Sequence, residues 1–92
     1  MTLDEAWTMS PSVSFRPEPF GALAYHFGTR RLTFLKSREM VSVVTGLAAC
    51  ATVREALAQA GVPDDQWSVF LHALGALADG GMIERRADVA AA

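Results

Sequence analysis

One cysteine, two histidines and no long apolar run set the first limits on this 92-residue chain. Cys50 has no partner for an internal disulfide, and a lone thiol excludes a cysteine-rich metal site. Such cysteine usage suits a reducing compartment. The longest mostly apolar stretch, Val41 to Val53, is broken by Ser42, Thr45 and Gly46 and falls short of the roughly 20 residues a spanning helix needs. The opening residues MTLDEAWTMSP lack a basic n-region and an apolar h-region, so no secretory signal is expected. A cytoplasmic, non-membrane protein follows as the expectation. Neither charge sign dominates, with eight Lys and Arg against ten Asp and Glu. A nucleic-acid-binding domain is usually far more basic.

What is present describes one small domain: 51% of residues are apolar and 20% charged. The charges are unevenly spread. From Arg16 to Arg54 six cations face two acids, whereas from Glu55 onward six acids face Arg85 and Arg86. A basic front half of this kind suits an acidic ligand, or is an ordinary solvated surface.

Residues 1–11 read as a flexible or loosely docked arm, residues 12–86 as the folded domain, and residues 87–92 as a frayed alanine tail. Val13 and Phe15 alternate with Ser12, Ser14 and Arg16, which predicts a half-buried strand stopped by Pro17 and Pro19. Ala22 to Phe27 and Arg31 to Lys36 alternate likewise around Gly28-Thr29, predicting a hairpin and hence a three-stranded antiparallel meander. Leu32 and Phe34 are expected to point inward, with Arg31, Thr33 and Leu35 outward.

The period then changes to 3.6. Ser37 is a good N-cap before the stripe Met40, Val43, Val44 and Leu47. Thr52-Val53-Arg54-Glu55 fits a capping box, opening a second helix that ends near Gly61. Pro63-Asp64-Asp65 starts a third, with Trp67, Phe70, Leu71, Leu74, Leu77 and Ala78 at helical spacing. Three strands followed by three helices predict an α+β fold of winged-helix type.

Catalytic chemistry is hard to assemble from these residues. His26 and His72 stand alone, Cys50 sits among small residues in AACAT, and Asp64-Asp65 is explained by helix capping. GxGxxG, P-loop and HExxH patterns are all missing, so a non-enzyme without cofactor or metal is expected. A recognition helix for DNA would carry Arg, Lys, Asn or Gln outward, but QWSVFLHALGALADG offers Gln66 alone and adds Asp79. The fold permits DNA binding while this surface disfavours it. An edge strand at Arg31 to Leu35 beside so apolar a helix makes a groove for an extended peptide. The same open edge invites pairing with a second copy, giving a weak or strand-exchanged dimer in place of a monomer.

The run RPEPFGALAYHFGTRRLTFLKS, Arg16 to Ser37, closely resembles the mycofactocin peptide chaperone family, relatives of the PqqD-like recognition elements. AGV at Ala60 to Val62 and LHALGALADGGM at Leu71 to Met82 continue the resemblance. It implies a non-catalytic element that binds the leader of a short precursor peptide and presents the core to a radical S-adenosylmethionine maturase. That enzyme would perform the decarboxylation and Val-Tyr crosslinking, and its cofactors would not belong to this chain. The resemblance further implies that the leader pairs with the third strand and packs on the third helix. Carried onto this chain, the peptide-binding residues would be Arg30, Arg31, Leu32, Thr33, Phe34 and Leu35, with Gln66, Val69, Phe70, Ala73 and Leu74.

Overall fold

The computed structural model describes residues 1–86, so the tail expected to fray lies outside the described residues. The order is β1 (Trp7–Met9), β2 (Val13–Glu18), β3 (Gly21–His26), β4 (Leu32–Leu35), α1 (Arg38–Gly46), α2 (Val53–Gln59), α3 (Trp67–Asp79) and β5 (Ile83–Arg85). Short 3-10 turns at Leu47–Ala49 and Asp64–Gln66 lead out of α1 and into α3. The fold is α+β, with the expected antiparallel sheet in the order β2-β3-β4 and a second, two-stranded sheet of β1 and β5.

Local chemistry accounts for the boundaries. The Ser37 hydroxyl accepts the Met40 amide at 3.1 Å and starts α1, and the Thr52 hydroxyl accepts that of Glu55 at 3.3 Å and starts α2. Gly61, at φ 77°, ends α2 in the left-handed conformation that a glycine adopts without strain. Gly21 is required for a different reason. Its φ is 154° and a Cβ there would collide with the Leu35 carbonyl oxygen, so only glycine lets β3 approach β4 at this point. Contrary to the expected stop, β2 runs through Pro17 to Glu18. The bond from the Phe27 amide to the Ser12 carbonyl sets the register so that residue 17 turns its nitrogen away from β3, where an edge strand tolerates proline.

The core lies between the sheet and the helices. Val43, Leu47, Val53, Leu57 and Leu74 are essentially inaccessible, each contributing about 1.5–3 kcal/mol of hydrophobic stabilisation. The sheet meets the helices through Ala22, Ala24 and Leu35, not through Leu32 and Phe34. This reverses the expected faces of the hairpin. α1 lies directly on β3, and only small residues there allow so close an approach, so the larger Leu23 and Tyr25 occupy the opposite face.

Of the two states expected for the first eleven residues, flexible or loosely docked, they take the docked one. β1 pairs with β5 in the register Trp7↔Arg85, Thr8↔Glu84, Met9↔Ile83. Upstream, the Glu5 and Leu3 carbonyls accept the amides of Val53 and Arg54 at 3.0 and 2.9 Å, satisfying two donors at the start of α2. Arg86 completes the closure by donating to the Ala48 and Cys50 carbonyls.

Candidate functional site

Among the described residues β4 is an open edge of the main sheet, and its register decides which backbone groups are free. The His26 amide donates to the Arg31 carbonyl at 2.9 Å, which marks these two as a hydrogen-bonded pair. Alternation along the ladder then turns the peptide groups of Thr33 and Leu35 toward β3. Those of Leu32 and Phe34 point away from the sheet and, among the described residues, are free for another strand.

The turn that delivers β4 is held by one imidazole. Nδ1 of His26 accepts the Gly28 and Thr29 amides at 3.0 and 3.1 Å, and the Arg30 amide donates to the His26 carbonyl at 2.7 Å. Arg30 sits in that turn at φ 61°, exposed to solvent. Arg31 instead reaches across: its Nη1 stands 3.6 Å from where a Gly80 side chain would begin, beside the C-terminal end of α3. α3 has no basic residue in its own last turn, and Arg31 supplies the cation that this end of the helix dipole favours.

Between β4 and α3 runs an apolar groove of about 490 Å³. β4 contributes Thr33, Phe34 and Leu35, with Arg31 just before it, and α3 contributes Val69, Phe70 and Ala73. A second depression of about 420 Å³, sharing Ser37 and Phe70 with the first, extends it past Glu39 to Gln66 and Pro63. The combined channel therefore has Arg31 at one end and Glu39 at the other. Among the described residues no group of three or more His, Cys, Asp or Glu is placed to hold a metal ion.

Of the candidate residues, the structure brings Arg31, Thr33, Phe34, Leu35, Val69, Phe70 and Ala73 into one wall-to-wall groove and puts Gln66 in its extension. It does not bring in three others. Leu74 is fully buried beneath the groove, Leu32 stands 57% exposed on the sheet's outer face, and Arg30 remains in the turn. Sequence reasoning missed Lys36, Ser37, Met40, Ala76, Leu77 and Gly80 as lining residues. Met40 and Leu77 carried the helical spacing of core residues, and they are both: buried, yet forming the floor of the groove.

A sequence model of the Peptide chaperone MftB family matches residues 6–84. The chain is 54% identical over 80 residues to the peptide chaperone MftB of Mycolicibacterium smegmatis, covering 87% of this chain and 78% of that protein. It is 49% identical over 83 residues to the protein of the same name from Mycobacterium tuberculosis, covering 90% and 76%. The Mycobacterium ulcerans relative shares 50% identity over 80 residues, covering 87% and 73%. No solved structure matches the chain significantly.

Proposed function

The chain belongs to the peptide chaperone MftB family, and from that premise we propose that it binds the leader of the mycofactocin precursor peptide as a strand added to β4. In this reading it then presents the peptide to the radical S-adenosylmethionine maturase, and contributes recognition with no bond-making of its own. The name its relatives carry, peptide chaperone, describes a non-catalytic role. The observation that carries the proposal is the coincidence of the free β4 edge with the apolar groove against α3. A strand laid on that edge gains main-chain hydrogen bonds while alternate side chains drop toward Val69, Phe70 and Ala73.

Magnitudes indicate which half of the site decides affinity. Leu32 and Phe34 each present one donor and one acceptor, so about four new bonds at about 1 kcal/mol give roughly 4 kcal/mol. Ordering a disordered segment costs about 2–5 kcal/mol, which nearly cancels that gain. Micromolar binding, about −8 kcal/mol, therefore needs several apolar anchors at roughly 1.5–3 kcal/mol each. The groove on α3 is where they would sit.

Calorimetric titration with the full precursor and with its leader alone tests this reading. Both are expected to bind one-to-one. Val69→Asp places a charge on the 65% exposed wall of the groove and is expected to weaken both by about tenfold or more while the melting curve stays in place. Unchanged binding by the folded variant would remove α3 from the site. Binding of the full precursor without the leader fragment would move recognition to the peptide's core.

A further inference from the structure

Over β3 and β4 the main sheet is apolar on both faces, while β2 turns Ser14, Arg16 and Glu18 outward. Leu23, Tyr25, Leu32 and Phe34 project from its outer side, opposite the helices, and Phe20 and Phe27 join them from the adjoining turns. Phe20, Phe27, Leu32 and Phe34 are 44%, 61%, 57% and 58% exposed. An antiparallel sheet with one face in water normally carries polar residues there. At about 200 Å² for a fully exposed large side chain, these four alone show roughly 400 Å² of apolar surface, in the range where a patch often marks a contact. Its shape is set in advance by two edge-to-face pairs. Phe20 and Phe34 lie 5.8 Å apart at 61°, and Tyr25 and Phe27 lie 5.4 Å apart at 75°.

We propose that this outer face docks a folded protein whose own apolar patch is rimmed with acids, and that this partner takes over the peptide held in the neighbouring groove. The inference rests on the peptide-recognition reading and adds to it a second, separate interface. Charge selects the occupant. Around this face stand Arg16, Arg30 and Lys36 against Glu18 alone, Arg16 holding Glu18 at 3.0 Å, while Arg31 lies on the groove side. A two-fold pairing of this face with a second copy would set that basic rim against itself. The apolar centre supplies about half of the roughly 800 Å² per partner in a stable interface, so the rim must supply the remainder. An acidic rim does so favourably.

Continuity with the groove explains why the partner should be the protein that receives the peptide. Phe34 lines the groove and also forms one of the aromatic pairs on the outer face. A strand added beside β4 sends alternate residues to each side of the sheet. Half would enter the groove, and half would lie next to Phe34 on the outer face. A protein seated there touches chaperone and peptide together. Rigid paired aromatics favour such a shape-matched contact over a fluid lipid surface.

The test titrates purified mycofactocin radical S-adenosylmethionine maturase into the wild-type protein and into Phe27→Glu, Phe20→Ser and Arg16→Glu, with leader binding measured on the same samples. All three positions are exposed and outside the groove. Each variant is expected to weaken maturase binding by about tenfold or more near physiological ionic strength, with leader affinity held within about twofold. Folded variants that bind the maturase as tightly as wild type overturn the inference. So does a concentration-dependent dimer abolished by Phe27→Glu in sedimentation, or variant-sensitive binding to phosphatidylserine–phosphatidylcholine vesicles with no maturase effect. Wild-type protein that binds the leader but not the maturase defeats this inference alone. Binding neither defeats the recognition reading and this one with it.

Discussion

Val69 and Leu74 occupy the same helix, yet one is 65% exposed and the other is inaccessible. The difference separates recognition from stability at single residues. Leu74→Ala leaves a cavity among fully packed neighbours and is expected to cost about 2–5 kcal/mol in urea unfolding. Val69→Ala removes little buried surface and is expected to stay within about 0.5 kcal/mol. Equal losses in the two variants would mean that the groove wall is part of the core. Glu5 offers a residue-level test by pH. The Trp7 indole donates to its carboxylate at 2.9 Å, and this bond, together with a backbone bond and Arg85 nearby, holds the carboxyl below its usual value of 4.5. A lowered folded-state pKa means that the ionised form is favoured by folding. The stabilisation is present above pH 4.5 and is lost as pH falls through the folded value. Glu5→Gln is therefore expected to melt below wild type at neutral pH, with the gap closing in acid, as read from tryptophan fluorescence.

At the scale of the element, β4 shows what a strand's alternation can and cannot reveal. The period of two in Leu32 to Leu35 located the strand, and its position after β3 marked it as an edge. The inward face was misjudged because the larger residues were assigned to the core. Burial is one-way evidence: a core needs apolar residues, but an apolar residue need not be in the core. Here α1 selects Ala22 and Ala24 by its closeness to β3, a steric demand carried by a helix some fifteen residues downstream. Helices were more legible, since Ser37 and Thr52 announce their own caps and the 3.6 spacing picks out Met40, Val43, Val44 and Leu47, all of them buried. The groove was partly readable for the same reason, since a helix too apolar for one face implies one, whereas Val69, Phe70 and Ala73 are named as its lining only by the family resemblance. The backbone register supplies the remaining detail and a prediction. Leu32→Pro deletes a free amide on the edge, so the fold should persist while leader affinity falls, by about fivefold for one bond of about 1 kcal/mol. Thr33→Pro deletes an amide directed at β3 and should instead destabilise the sheet by about 3 kcal/mol or more. Melting curves and titrations of the two variants distinguish the edges; the reverse pattern would mean that the free groups belong to Thr33.

The whole molecule is tied together from its two ends. β1 and β5 are three residues each, too short for alternation to identify, and their pairing joins segments more than seventy residues apart. That is why the amino-terminal segment read as an arm: its reason for being ordered lies in Ile83 to Arg85, not in its own pattern. Ser10 links this small sheet to the main one, its amide donating to the Met82 carbonyl at 2.9 Å and its buried hydroxyl accepting the Ser12 amide at 3.2 Å. Removing residues 1–9 would strip away the packing of Ala6, Trp7 and Met9 against the core, unpair β5 and free two donors at the start of α2. Losses of about 1–3 kcal/mol for each buried group left unsatisfied, added to the lost apolar burial, take a large part of the 5–15 kcal/mol that a domain has in total. A chain lacking residues 1–9 is therefore expected to melt at least about 20 °C lower, or to be unfolded at 25 °C, since each kcal/mol shifts Tm by about 4–8 °C at this size. Circular dichroism with heating gives the answer. A truncated chain that melts with wild type would show that β1 only rests on the fold, whereas the expected loss would place the amino-terminal strand among the elements that keep the β4 edge and the α3 groove in register.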